Sequence, residues 1–180
     1  RGLGVLTYDA AGSQSRGNLV RSTSTTFDQP SHAAAVDAHY FAEMVYDAYL
    51  ALGRNSLDNA GMKMISTVHY GENYVNAGWT GAQMIYGDGD PALHYPLSVA
   101  PDVVAHELQH AVTDFTVPLE SWGQSGALNE AWSDIFGFLV GEGGNLPGCV
   151  DQPAEGGGAF NDVSVVLEID CGGDAVDERG

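Results

Sequence analysis

Two histidines, His106 and His110, enclose the pattern His-Glu-x-x-His within a segment of helical apolar spacing. Side chains four positions apart lie on one helix face, so both imidazoles can reach a single metal ion. Glu107 follows the first histidine and is therefore placed beside such an ion without having to ligate it. This is the position expected for a general base that takes a proton from a metal-activated water. The pattern alone leaves a second interpretation open, two partly exposed histidines beside a solvated glutamate.

A second helical segment carries two carboxylates on one side, Glu130 and Asp134. Catalytic zinc typically takes three protein ligands and keeps one position for water, so the two histidines and Glu130 complete such a set. Histidine ligands commonly donate their other N–H to a carboxylate, which is the role predicted for Asp134. We therefore predict a zinc site with Glu107 as the general base.

The elements that must position these groups follow from the apolar pattern. Helices are predicted over 33–52, 98–116 and 125–140, and strands over 3–9, 18–26, 62–70, 74–79 and 83–86. Ser125 is the predicted N-cap of the last helix. The predicted apolar face of that helix consists of Leu128, Ala131, Ile135 and Phe138. This order predicts an α+β fold, with a twisted antiparallel-rich sheet packed on a helix and two adjacent zinc-ligand helices.

Composition narrows the classes of partner. The 180 residues carry 24 acidic and 6 basic side chains, a formal net charge of −18. So few cations cannot form the basic face that nucleic acid or anionic lipid requires, and neither is an expected partner. No apolar run reaches the roughly 18 residues of a membrane helix. The hydrophobic content of 44 % is that of a globular chain and not of a disordered one.

Together with the two helices, seven strings in this order resemble the thermolysin family of zinc metallopeptidases, from Arg1 to about Val140. The strings are GVLTYDA (4–10), VDAHY (36–40), VHY (68–70), NAGW (76–79), QMIYGDGD (83–90), DVVAHEL (102–108) and SGALNEA (125–131). The resemblance implies a zinc endopeptidase that hydrolyses polypeptide substrates with a metal-activated water and Glu107 as general base.

The resemblance also implies further site residues. Asn76 and the backbone of Ala77 would hold an extended substrate along an edge strand, and Val103 and Leu97 would help line an apolar specificity pocket. Calcium is a candidate second ion. Asp102 matches a calcium ligand of the family, whereas Gly141 stands where the family commonly has an acidic ligand and Glu142 follows one position later.

Some features of the family have no match in this chain. Family members have additional strands before the segment matching Arg1. They also have a later helical domain that supplies a histidine for the tetrahedral intermediate and an arginine for the substrate. No histidine follows His110, and Arg179 is the only later arginine. A tyrosine that assists the oxyanion in the family aligns with Ser121.

Three interpretations therefore stay open: an active endopeptidase of reduced size, a zinc-bearing but catalytically weak binding or regulatory module, and one piece of a cleaved precursor whose second chain completes the active site.

Beyond residue 140 the composition changes to glycine and acidic residues. The predicted division is a thermolysin-like catalytic region, 1–140, and a C-terminal segment, 141–180. Cys149 and Cys171 are predicted to form a disulfide there, worth about 3 kcal/mol on the chain-entropy account; the alternative is two free thiols. The disulfide and the family resemblance together favour an extracellular, secreted protein.

Overall fold

The computed structural model describes residues 4–22, 26–27, 29–90, 92 and 95–141. The chain separates into two units, residues 1–149 and 150–180, and every described residue lies in the first. Glu142, Cys149 and Cys171 lie outside the described residues. The disulfide, the division after residue 140 and any part of Glu142 in a calcium site therefore stay predictions.

Five strands form one mixed sheet. Their bounds are Val5–Asp9 (β1), Asn18–Leu19 (β2), Met64–Val68 (β3), Ala77–Trp79 (β4) and Met84–Tyr86 (β5). The spatial order is β2-β1-β3-β5-β4. β1 with β3 and β3 with β5 pair in parallel, whereas β1 with β2 and β4 with β5 pair antiparallel. The predicted α+β class is confirmed. The sheet is mixed, with two parallel and two antiparallel pairings, whereas an antiparallel-rich sheet was expected.

The first helix, α1 (Ala33–Ala51), accounts for the first parallel pairing. It follows β2 in the chain and packs against both β1 and β3, so the chain crosses over and re-enters the sheet in the same direction. β3 is buried at four of its five residues, as expected for a central strand covered on both faces. The strand expected over 18–26 is only Asn18–Leu19 in the described part of that segment.

The other two helices are α2 (Pro101–Thr116) and α3 (Gly123–Gly141). α2 begins with Pro101, whose fixed φ and missing N–H suit a first helical position. Asp102 follows in the first turn, where a negative charge interacts favourably with the helix dipole. α3 begins at Gly123, so Ser125 lies inside the helix and the N-cap prediction for it is wrong. None of the helices in the described ranges combines the length and apolar character needed to cross a membrane.

A buried polar contact joins α1 to α2, and an aromatic stack joins α1 to α3. The Tyr49 hydroxyl donates to the side-chain carbonyl of Gln109, whose amide donates to Thr113 Oγ1 at 3.2 Å. Burial raises the pKa of the Tyr49 hydroxyl above its ordinary value, so the group stays a proton donor. The Tyr49 ring also stacks on Phe136 of α3, with ring centroids 4.6 Å apart. These contacts fix the positions of α2 and α3 relative to α1.

The apolar face predicted for α3 is wrong. Leu128, Ala131, Ile135 and Phe138 are all exposed in the structure. The face that packs on the rest of the protein consists of Gly126, Asn129, Ser133, Phe136, Gly137 and Val140. Small and polar residues are buried here because α3 approaches α2 closely and brings polar side chains to its histidines, while the larger apolar residues of α3 face outwards.

Among the glycines of α3, Gly137 lies nearest to α2. A Cβ atom added there would lie 2.7 Å from the backbone oxygen of Asp102 and 3.4 Å from Cβ of His106. No real side chain tolerates the first distance, so only glycine permits this helix spacing. Gly137 therefore determines how near α3 comes to the helix that carries the two histidines.

We expect Gly137→Ala to lower the free energy of unfolding by about 1–3 kcal/mol, because the added methyl group overpacks the interface between α2 and α3. Chemical denaturation followed by circular dichroism measures the change. Gln124→Ala, at an exposed position of the same helix, is the control and should change it by less than about 0.5 kcal/mol. Equal midpoints for Gly137→Ala and the unchanged chain would contradict the close approach.

Candidate metal centre

Helix α2 presents the two histidines of the His-Glu-x-x-His pattern on one side. Their Nε2 atoms lie 3.0 Å apart, and their ring centroids lie 4.6 Å apart at an interplanar angle of 80°. His106 and His110 are both partly buried. The spacing of four residues thus converges two imidazole nitrogens on one point, as the helical period requires.

Helix α3 brings Glu130 to the same point. Its Oε2 atom lies 3.4 Å from Nε2 of His106, and its Oε1 atom lies 3.6 Å from Nε2 of His110. Each of these three residues offers one ligand atom, and the three atoms lie within 4.8 Å of one another. Within the described ranges, no other group of three or more His, Cys, Asp or Glu side chains converges in this way.

The separations fit a tetrahedral zinc site. Ligand atoms about 2.0–2.1 Å from zinc are about 3.3 Å apart in tetrahedral geometry. The two histidine nitrogens are 3.0 Å apart, and each has one of the two Glu130 oxygens at 3.4 or 3.6 Å. Two nitrogens and one carboxylate oxygen form the donor set of a catalytic zinc site with a fourth position free for water. The donors present therefore suit zinc in both chemistry and spacing.

The outer nitrogen of each imidazole has an oxygen partner. Nδ1 of His106 lies 2.9 Å from Oδ1 of Asp134. Nδ1 of His110 lies 2.9 Å from Oδ1 of Asn129 and 3.2 Å from Oγ of Ser133. Acceptors at Nδ1 favour the tautomer with the proton on Nδ1, which leaves a lone pair on each Nε2. Two lone pairs facing each other repel, and a bound cation removes that repulsion.

Glu107 is buried beside the two histidines. Burial raises the pKa of its carboxyl group, and the nearby Glu130 carboxylate adds to that rise. The imidazoles of His106 and His110 and a hydrogen bond from the backbone of Trp79 act in the opposite direction. A carboxylate held this way is more basic than one in water, which suits a group that must accept a proton.

Strand β4 forms the other side of this region. The indole Nε1 of Trp79 donates to Oδ2 of Asp114 on α2 at 2.7 Å, and the Trp79 ring meets Phe115 edge-on, with centroids 6.3 Å apart. These contacts tie β4 to α2. Since β4 is the last strand in the sheet order, its outer edge is not paired with any described strand.

The residues that the resemblance assigned to substrate binding lie at or near these elements. Asn76 precedes β4 and is exposed, and its carbonyl accepts the backbone N–H of Gly87 at 3.0 Å. Ala77 is the first residue of β4. Leu97 and Val103 are partly buried against the hydrophobic core. Their roles in binding and specificity stay predictions.

Of the two predicted calcium ligands, only Asp102 lies among the described residues, at the start of α2. Asp102 lies against the end of α3, where a Cβ atom at Gly141 would come within 3.0 Å of Asp102 Cβ. The position that carries an acidic ligand in the family is therefore adjacent to Asp102, but here it offers no side chain. Among the described residues, Asp102 belongs to no converging group of three metal-binding side chains.

The partners of His110 and the contacts of Trp79 were not predicted from the sequence. Asn129 directly precedes Glu130, and Ser133 lies four residues after Asn129, so a helical spacing on the histidine-facing side was the available signal. No spacing signal exists for Trp79 and Asp114, because they are 35 residues apart and meet only through the packing of β4 on α2.

Comparison with known proteins identifies similar chains. The family described as "Thermolysin metallopeptidase, catalytic domain" matches residues 1–114. Neutral protease NprE of Bacillus pumilus is 53 % identical over 141 residues, which are 77 % of this chain and 47 % of that protein. Bacillolysin of Bacillus subtilis (strain 168) is also 53 % identical over 141 residues, covering 77 % of this chain and 27 % of that protein.

A solved structure shows the same similarity. The precursor of protealysin, a metalloproteinase from Serratia proteamaculans, is 40 % identical, with a TM-score of 0.68 over 76 % of this chain and 42 % of that one. The chain thus spans about half, or less, of the length of the relatives it matches.

We expect Asn129→Leu to lower the affinity for Zn²⁺ by about 10- to 100-fold, because His110 loses the nearer of the two oxygen partners that orient its ring and keeps only Ser133. Competition with a chromogenic chelator measures the affinity. Gln124→Leu makes the same exchange at an exposed position of α3 and should leave the affinity unchanged. An unaltered zinc affinity in Asn129→Leu would show that this hydrogen bond does not position the ligand.

Proposed function

This chain belongs to the thermolysin family of metallopeptidases, and from that premise we propose that it acts as a zinc-dependent endopeptidase on polypeptide substrates. The observation that carries the proposal is the convergence of three donor atoms from two helices. His106, His110 and Glu130 would hold the zinc ion. Zinc in such a site supplies a Lewis acid that lowers the pKa of water and polarises a carbonyl group.

The proposed general base is Glu107. Its buried carboxylate takes a proton from the attacking water as the water oxygen bonds to the scissile carbonyl carbon. It then passes that proton to the departing amine nitrogen as the C–N bond breaks, so protons balance over the reaction. The raised pKa of this carboxyl supports the role, since a stronger base accepts the first proton more readily.

The proposed binding site for the substrate backbone is the outer edge of β4. An extended peptide can add to an unpaired strand edge through main-chain hydrogen bonds, and Asn76 and Ala77 lie where such a strand would begin. The contacts of Trp79 with Asp114 and Phe115 fix that edge relative to α2. Leu97 and Val103 are the proposed apolar contacts for the residue that follows the cut.

A covering polypeptide is a further part of the proposal. Trp122, Leu128, Trp132, Ile135 and Phe138 are exposed on α3 and just before it, and we call this set the α3 apolar face. Glu130 and Asp134 on the same helix have side chains 64 % and 73 % exposed. A soluble protein rarely leaves such a surface open, so further chain, in the same polypeptide or in a second one, is proposed to complete the cleft.

The alternative is a zinc-bearing module that is catalytically weak, and it rests on the missing oxyanion donors. The histidine and the tyrosine that stabilise the oxyanion in the family have no match in this sequence, since no histidine follows His110 and Ser121 stands at the tyrosine position. Each such donor is typically worth about 10²–10³ in kcat. Zinc binding without measurable turnover is the outcome this alternative requires.

An extracellular location is proposed from the family and from the predicted pairing of Cys149 with Cys171. Intact mass before and after reduction tests that disulfide.

We expect Glu107→Gln to retain Zn²⁺ at the stoichiometry of the unchanged chain and to lower kcat/KM on a peptide substrate by about 10²–10⁴-fold. Metal analysis and hydrolysis of casein or a quenched peptide, on the same sample, measure both. Glu120→Gln is the matched control at an exposed position. Turnover in the unchanged chain no higher than in Glu107→Gln would reject the endopeptidase and favour the weak module.

We expect the chain alone to bind an apolar dye such as ANS through the α3 apolar face. Trp132→Ser combined with Phe138→Ser should lower the dye fluorescence severalfold while zinc stays bound, because two large aromatic surfaces at the centre and end of the face are removed. Leu50→Ser with Leu52→Ser, also exposed but near the end of α1, is the matched control. The same loss of fluorescence in both pairs would mean that no distinct face exists.

A further inference from the structure

A second concave site lies between α1, β1 and β2. The cavity has a volume of about 580 Å³, and its described wall comes from α1, β1, β2 and the stretches beside them. That volume is within the range of sites that bind small organic molecules, about 300–1,000 Å³. It shares no residue with the proposed metal centre.

Most of the lining is apolar. Val5, Leu6, Leu19, Val20, Phe27, Ala35, Val36 and Tyr40 contribute to the wall. Phe27, Val36 and Tyr40 are also exposed to solvent, so the apolar surface can be reached from outside. Among the described lining residues there is no lysine or arginine. This part of the wall therefore suits an uncharged organic body better than an anion.

One corner of the cavity is polar and open to solvent, since the side chains of His39 and Glu43 are 43 % and 49 % exposed. Thr7 Oγ1 lies 3.0 Å from Nδ1 of His39, which fixes the imidazole ring. Nε2 of that ring then faces Oε1 of Glu43, one helical turn further along α1, at 3.8 Å. This distance is too long for a direct hydrogen bond. A ligand nitrogen with two N–H groups, placed between them, could donate one hydrogen bond to Nε2 of His39 and one to Oε1 of Glu43.

We propose that this cavity binds an amphiphilic amine, a small molecule with an apolar body and a protonated amino group. The apolar body lies against the wall formed by α1 and β1, and the ammonium group donates to Oε1 of Glu43 and to Nε2 of His39, in the tautomer whose Nδ1–H donates to Thr7. The ammonium charge is matched by the one carboxylate of the lining. The formal net charge of −18 on the whole chain adds an attractive field for a cation.

The positive charge of the amine distinguishes it from a carboxylate or an alcohol of the same shape. A carboxylate of equal shape would meet Glu43 without any compensating cation, and an alcohol would form the hydrogen bonds without the charge. Glu43 attracts the ammonium group and repels a carboxylate, and an alcohol lacks the charge that strengthens the hydrogen bond. We therefore expect the amine to bind at least about tenfold more tightly than either isostere.

Calorimetric titration of the full chain with 4-phenylbutylamine, 4-phenylbutanol and 4-phenylbutyrate tests the proposal. We expect saturable one-to-one binding of the amine and affinities at least about tenfold lower for the other two. Glu43→Gln should weaken amine binding by a similar factor. Val36→Phe should abolish it by filling the cavity, with circular dichroism checking that the variant is folded.

Glu72→Gln, an exposed acid outside the lining, is the matched charge control and should bind the amine as the unchanged chain does. Equal affinity for amine and carboxylate, or no effect of Glu43→Gln, would overturn the proposal. So would the absence of saturable binding. The last titration uses a short peptide of alternating valine and lysine. If this peptide binds and the amine does not, the proposal of a small-molecule ligand is wrong and the cavity binds a polypeptide. Zinc content should be the same in all variants.

Discussion

The contact between α2 and α3 at Gly137 is the constraint on which the candidate metal centre depends. Because glycine offers no Cβ, α3 can lie against the backbone of Asp102 and beside His106. At that spacing Glu130 comes within 3.4 and 3.6 Å of the two imidazole nitrogens. A wider spacing would leave the histidines in place on α2 but would separate the carboxylate from them.

The same approach explains why α3 buries small and polar groups. Asn129 and Ser133 occupy the face towards α2, where their oxygens meet Nδ1 of His110. Larger apolar residues would not fit that spacing and would leave the imidazole without an acceptor. The cost is that the apolar side chains of α3 face solvent within the described structure, next to the exposed carboxylates of Glu130 and Asp134.

The converging set of His106, His110 and Glu130 was predictable because it follows from helical periodicity within two segments and from the coordination preference of zinc. The α+β class followed from the order of the elements. The burial of α3 was not predictable in this way, since the most apolar stripe of a helix indicates its buried face only where packing leaves room for large side chains, and α3 lies close to α2. The parallel pairing of β1 with β3, and the contact of Trp79 with Asp114, depend on long-range packing that no local pattern encodes.

The proposed zinc ligands lie close together along the chain. Glu130 is only 20 residues after His110, and the connection between α2 and α3 is the short segment 117–122. The entropy lost on closing a chain segment rises only slowly with its length, by about 0.6 kcal/mol for each doubling, and here the segment is short. Chelation would therefore require a helical hairpin and not the whole sheet, so the metal can be captured early in folding and can itself guide the docking of the strands.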